Sequence, residues 1–498
     1  MNRQIVRLTY VALLLVGALV VMTTYWQTWA AASLADRQDN SVKRVAEFSV
    51  DRGAIVVRRP FARLARNRAR NVGEKTLFFR RYPQGPLTAH AVGYSTVGRS
   101  RTGLERSLND YLTASNTNLS TVFDKALDEL RGKTVKGNDI VLNLDLEAQQ
   151  VALEALGDNC GAVAALDPRT GKVRVLASSP SYDPNLVENR FGEISTITAD
   201  CDQPSPLLNR AAAGLFIPGS AFKVVTAAAA LESRKFTPGS VFHDPGYCIV
   251  YGKKVSNFAD QSGPEVFGTI DFVDGLIHSV NSVFCKVGLQ LGAKRILDTA
   301  KQFGFYERPP IETPADERQP SGLYDNGRLY YPRQDSDVDA GRMAFGQERM
   351  LVTPLQMAMV AGAIGNRGLL LEPQLVDRIV APGGRTIVKK RPHVIRQAVR
   401  KGTARTVADM MRGVVSEGTG TAAQISGYSV GGKTGTAETG IATANTTWFI
   451  AFVGRDEESA PEVAIAVVLQ NQSGVGGTTA APIARAVMQA ILSSQENP

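Results

Sequence analysis

Three short words in this chain carry residue types suited to acyl-transfer chemistry: Ser220-Ala-Phe-Lys223, Ser279-Val-Asn281 and Lys433-Thr-Gly-Thr436, in that order. A serine with a lysine three residues on can pair a nucleophile with a base. Burial lowers the pKa of the amine until its neutral form can take the hydroxyl proton. The backbone N–H of Ser220 can help stabilise a developing oxyanion. The Ser279 hydroxyl can pass a proton between Lys223 and a leaving amine, and Asn281 can hold a substrate amide. Lys433 with the hydroxyls of Thr434 and Thr436 suits a terminal carboxylate, by charge plus hydrogen bonds. Gly435 between them lets another backbone come close. Singly the words say little: Ser-x-x-Lys also reads as a helix cap with a snorkelling lysine, and the third word as a Gly/Thr-rich edge strand.

The elements around these words must position them. Pro218-Gly219 breaks the chain, and Ser220 to Glu232, rich in Ala, Val, Leu and Phe, predicts a helix that is apolar nearly all round and therefore buried. Ser279-Val-Asn281 falls between a helical stretch, Asp271 to His278, and apolar Val283 to Leu289. Lys433 follows Gly431-Gly432 and precedes a strand at Trp448 to Val453, so a peptide main chain could pair alongside it. Gly161 to Leu166 and Val173 to Ala177 flank a Pro/Gly turn and predict a hairpin. A further strand at Val463 to Leu469 and a helix at Pro482 to Leu492 close the chain. Strands at both ends with helices between them predict one layered domain whose sheet the C-terminus completes. Earlier, Ile140 to Leu144 reads as a strand, Leu146 to Leu156 as a helix, and Pro309 to Asp339 as a long functional or mobile loop.

Other readings fall away on context. Gly427 to Thr434 satisfies the Walker A pattern, but a phosphate loop must open a helix. Gly435 to Thr447 carries no apolar helical stripe and leads into a strand. His90 and His278 have no acidic or second histidine companion in view and read as structural. The excess of 56 Lys and Arg over 47 Asp and Glu gives a net charge of +9, spread without a dense basic tract. With no aromatic-basic interleaving or zinc-finger spacing, nucleic-acid binding is not expected.

The chain has 498 residues, enough for two or three domains, and its 44% hydrophobic and 21% charged content is that of a globular protein with a core. Residues 8–29 hold no charge and predict a transmembrane anchor. Arg3 and Arg7 before it, with Tyr25, Trp26 and Trp29 at its far end, predict a cytoplasmic tail at 1–7 and an external body. A cleaved signal peptide ending near Ala30-Ala31-Ala32 is the alternative. Ala30 to Arg44 reads as a stalk. The four cysteines allow three full pairings. Cys160 and Cys285 lie in apolar surroundings and read as buried thiols, which leaves Cys201–Cys248 as the expected disulfide.

With its three words in order, the chain resembles the class B penicillin-binding proteins, and among them the actinobacterial penicillin-binding protein A type. Arg52-Gly-Ala-Ile55, Val92-Gly-Tyr94 and Thr102-Gly-Leu-Glu105 resemble that family's non-catalytic pedestal. Ser178 to Asn185, Gly346-Gln347 and Thr353-Pro-Leu-Gln356 resemble its catalytic domain. The resemblance implies an α+β fold: a five-stranded antiparallel sheet with helices on both faces plus a helical subdomain, at 151–498. A smaller mixed pedestal at 30–150 and one transmembrane helix precede it.

It also implies a peptidoglycan D,D-transpeptidase acting in cell-wall synthesis, division and shape, and inhibited covalently by β-lactams. Ser220 is then the acylated nucleophile, Lys223 its base, and Ser279 and Asn281 the middle motif. Lys433, Thr434, Gly435 and Thr436 form the carboxylate-binding strand, with the Thr436 N–H joining that of Ser220 in the oxyanion hole. Expected partners are D-Ala-D-Ala stem peptides, β-lactams, the cell membrane, and division or elongation machinery; no metal or organic cofactor is implied. Val280 stands where the class A β-lactamase word carries Asp, which fits the transpeptidase branch. A D,D-carboxypeptidase or β-lactamase, and a non-catalytic β-lactam sensor or division scaffold, are the alternatives.

Overall fold

The computed structural model describes residues 2–27, 48–58, 60–73, 75–97, 100–115, 134–201, 203–260, 263–437 and 444–496. The expected stalk at Ala30 to Arg44 lies outside them, as does Trp29. Helix α1 (Asn2–Tyr25) is exposed along its described side chains. Its 24 residues rise about 36 Å, enough to cross a bilayer core.

The region after it is built on a twisted sheet. Strands β1 (Ile55–Arg58), β2 (Phe61–Val72) and β3 (Lys75–Arg81) form an antiparallel meander. Strand β4 (Asp139–Leu142) pairs parallel to β1, with Ile55 opposite Ile140. Two strands from much later in the chain, Val376–Val380 and Thr386–Lys389, extend the sheet beyond β4. The words Arg52-Gly-Ala-Ile55 and Thr102-Gly-Leu-Glu105 meet here: buried Glu105 receives Arg52 at 2.8 Å and Arg80 at 2.7 Å.

The larger region centres on a five-stranded antiparallel sheet. Its strands are β5 (Gly161–Leu166), β6 (Val173–Ser179), β7 (Ser429–Ala437), β8 (Asn445–Gly454) and β9 (Val463–Gln472), in the spatial order β7-β8-β9-β5-β6. Around it run α2 (Leu146–Leu156), α3 (Lys223–Glu232), α4 (Phe272–Ile277), α5 (Asn281–Leu291), α6 (Pro354–Gly365), α7 (Lys401–Ser416) and α8 (Ala480–Glu496). Strand residues point alternately to the two faces, and both faces are covered. Val163, Phe449, Ile465 and Val467 pack under α2 and α8, whereas Ala164, Ile450, Ala466 and Val468 face the core that holds α3 and α6. The expected hairpin and C-terminal strands therefore supply the three middle strands, β8, β9 and β5, and the edge strand β6. The Walker-like segment lies mostly in edge strand β7 and opens no helix.

Two expectations need correction. Cys201 does not bond Cys248; Cys160 pairs with Cys201 and Cys248 with Cys285. A bridge between Asn159 and Asp200 brings the first pair together, and strand Tyr247–Val250 lies against α5 to bring the second. Burial in an apolar setting does not distinguish a thiol from half of a disulfide. Pro309 to Asp339 is also not an open loop. It contains the hairpin Gly322–Asp325/Arg328–Tyr330, which pairs with Met350–Leu351. Its Glu317 accepts the Gly103 N–H at 2.9 Å, and Asp316 meets Arg106 at 2.7 Å, so it fastens the two regions. Asn185 adds to that fastening by exchanging hydrogen bonds with the Tyr82 backbone, at 2.9 and 3.0 Å.

Candidate active site

The three words occupy three different elements that converge beside edge strand β7. Ser220 sits in a 3-10 turn, Gly219–Phe222, that runs into α3 at Lys223. In that tighter winding residues three apart eclipse, so Ser220 and Lys223 share a side. The turn is fixed from behind. Gly219 N–H donates to the Gly346 carbonyl at 3.1 Å, and Trp448 Nε1 donates to that of Ile217 at 2.9 Å. In front, a Cβ on Gly435 would come within 2.7 Å of the Pro218 oxygen. Only glycine lets the strand approach the Ser220 turn this closely, which is the physical content of the third word.

Ser279 lies between α4 and α5 with φ +61°, a left-handed conformation uncommon for a residue with a side chain. That turn carries its hydroxyl to both lysines. Lys223 Nζ donates to the Ser279 carbonyl at 2.5 Å, to Asn281 Oδ1 at 2.7 Å and to Ser279 Oγ at 3.3 Å. Lys433 Nζ donates to the same Oγ at 2.8 Å and to the Thr434 carbonyl at 3.1 Å. Lys223 also faces the rings of Phe284 and Phe345, at 5.5 and 6.0 Å.

Both lysines are fully buried. Burial penalises an ammonium that has no carboxylate partner. It brings Lys433 down to about 7. Lys223 falls well below the ordinary lysine value, chiefly by burial and further by the charge of Lys433. The structure therefore gathers Lys223, Ser279, Asn281 and Lys433 in one hydrogen-bonded group, with half-buried Ser220 one turn before Lys223. Thr434 Oγ1 pairs with Thr419 Oγ1 at 2.7 Å, and Thr436 Oγ1 accepts the Gly476 N–H at 3.2 Å.

Several supporting groups had no sequence signal. Thr419 and Gly476 lie in Gly/Thr-rich segments that read as turns. The Ser256 carbonyl, which accepts Asn281 Nδ2 at 3.0 Å, is a backbone group that any residue type would supply. Gly346 was visible as part of a word, but its contact with the Ser220 turn was not.

The chain is similar to known proteins over most of its length. The model for the penicillin binding protein transpeptidase domain matches residues 161–489, and that for the penicillin binding protein A dimerisation domain matches residues 52–140. The chain is 31% identical to the peptidoglycan D,D-transpeptidase PbpA of Mycolicibacterium smegmatis, over 99% of each chain. It is also 31% identical to the protein of that name from Mycobacterium tuberculosis, over 99% of this chain and 100% of the relative. The solved ceftriaxone acyl-enzyme complex of penicillin-binding protein A from M. tuberculosis superposes with a TM-score of 0.78 at 29% identity, covering 90% of this chain and 100% of the other. Likeness of this extent, in sequence and in fold, makes the chain a member of the class B penicillin-binding protein transpeptidases.

Proposed function

We propose that the chain is a peptidoglycan D,D-transpeptidase in which Ser220 forms the acyl-enzyme. The observation that carries this reading is the meeting of two buried amines on one hydroxyl, Ser279 Oγ, at the end of the turn that bears Ser220. Ser220 Oγ attacks the carbonyl of the D-Ala-D-Ala bond, and its proton passes to neutral Lys223. The N–H groups of Ser220 and Thr436 hold the oxyanion while the tetrahedral centre exists. The C–N bond then breaks, and the Ser279 hydroxyl delivers its proton to the departing D-Ala amine while taking up the proton held by Lys223, which returns Lys223 to its neutral form. An amine from a neighbouring stem peptide attacks the ester and gives its proton to Lys223, which passes it to Ser220 Oγ as the ester C–O bond breaks. Lys433, Thr434 and Thr436 receive the terminal carboxylate, and Asn281 holds an amide of the stem. A β-lactam enters by the same attack, but its leaving nitrogen stays tethered to the acyl group and obstructs the acceptor.

The same reading extends to the rest of the chain. Residues 8–29 anchor it in the membrane, residues 1–7 face the cytoplasm, and the body lies outside. Arg3 and Arg7 before α1 and Tyr25 and Trp26 at its end favour that orientation. Residues 30–150 serve as the pedestal, and division or elongation proteins are the partners.

Intact-mass measurement with peptide mapping after benzylpenicillin tests the central claim. One penicilloyl group on the Ser220 peptide is expected, and none in Ser220→Ala. An adduct that survives that substitution would sink the assignment, and rapid loss of the adduct by hydrolysis would favour a β-lactamase.

A further inference from the structure

Asp244 is a fully buried carboxylate with no part in the acyl transfer described above. It accepts four hydrogen bonds: from the N–H groups of Gly246 and Phe267, at 2.8 and 2.9 Å, from Asn257 Nδ2 at 2.8 Å, and from Ser282 Oγ at 2.6 Å. The last two donors lead straight to the middle word. Ser282 follows Asn281 in the first turn of α5, and its N–H donates to Asn257 Oδ1 at 2.9 Å. Ser256, next to Asn257, accepts Asn281 Nδ2, and Asn281 Oδ1 accepts Lys223. A connected set of contacts thus runs from Asp244 to the lysine that takes the serine proton.

Helix physics explains the arrangement. The first N–H groups of a helix have no partner within it, and negative charge is favoured at that end. For α5 both needs are met from another segment, by Asn257 and Asp244. Ser279, three residues earlier than Ser282, holds a left-handed conformation that persists only where its surroundings over-determine it. Cys285, in the next turn of α5, is bonded to Cys248, four residues after Asp244, which ties the same two segments covalently.

We infer that Asp244 is a positioning residue for acylation. Through Asn257 and Ser282 it fixes the first turn of α5 and thereby holds Ser279 and Asn281 against Lys223. The inference rests on the proposed acyl-enzyme chemistry and adds a group that touches neither substrate nor nucleophile.

The test uses the detergent-solubilised full chain, benzylpenicillin, and the variants Asp244→Asn and Ser282→Ala. Stopped-flow kinetics separate the acylation rate constant from the dissociation constant of the first complex, and melting curves are recorded alongside. In both variants acylation should slow about tenfold while the dissociation constant changes by less than about twofold, because geometry at the proton-transfer step is what is lost. The acid limb of the rate–pH profile should also move, since the hydrogen-bond partners of Lys223 have shifted. Should Asp244→Asn fail to fold, Ser282→Ala, which removes one hydroxyl, decides alone. A folded Ser282→Ala protein with the parent rate and profile would overturn the inference. Failure of the parent itself to be acylated would instead overturn the reading on which it rests.

Discussion

Two ammonium groups sharing one hydroxyl repel each other, so a single proton on the pair is favoured over two. Burial brings Lys433 to about 7, and burial together with the charge of Lys433 lowers Lys223 well below the ordinary lysine value. The proposed acylation requires Lys433 charged, to receive a carboxylate, and Lys223 neutral, to take a proton. With benzylpenicillin, the second-order acylation rate constant should fall on the acid side, as Lys223 gains the second proton. It should fall again above about pH 7, as Lys433 loses its charge. In Lys433→Arg the guanidinium keeps its charge, so the alkaline limb should disappear. If the Arg variant retains that limb, Lys433 is not its source. The residue types for this chemistry were legible in sequence, because a nucleophile, two amines, a hydroxyl and an amide are few enough to recognise. The lowered basicity of the two amines was not legible, since it depends on burial and on the separation of two groups 210 positions apart in the chain.

At the level of elements, the buried group Arg52–Glu105–Arg80 shows how a word outside the active site acquires meaning. Glu105 has no exposed surface and balances two guanidinium groups that are also buried. Burial is the largest single influence on its pKa and raises it, but the charges and hydrogen bonds of Arg80 and Arg52 together outweigh burial and hold the group below the usual carboxylate value. Removing one member of such a group leaves the others uncompensated. We expect Glu105→Ala to destabilise the protein by about 3–5 kcal/mol, read as a lower melting temperature. A melting curve that coincides with the parent would show that the group adds no net stability. The words containing Arg52 and Glu105 were visible in sequence. Arg80, in the otherwise unremarked strand β3, carried no signal, because only pairing of β3 with β2 brings it there.

For the whole molecule, the consequential feature is that the two regions share structure. The six-stranded sheet of the earlier region takes two of its strands from 376–389, deep within the later part of the chain, and Asn185, Asp316 and Glu317 add further contacts between the regions. Helix α1, by contrast, buries none of its described side chains against the body. Deleting residues 1–29 should therefore give a protein that stays in the aqueous phase on detergent partition and is acylated by benzylpenicillin within about twofold of the parent rate. A large loss of acylation would mean that the anchor contributes to the fold of the active site.

Sequence alone determined the chemistry-bearing words, their order, the apolar span, and the strands that form the middle of the sheet. Each of these depends on residue type and short-range periodicity, which are local properties of a chain. Tertiary structure decided the disulfide pairing, the sheet shared between regions, the hairpin within 309–339, the descent of Lys433 to about 7, and the place of Asp244 behind α5. These depend on contacts between distant segments and on the exclusion of water from the space between them. No local pattern records either one.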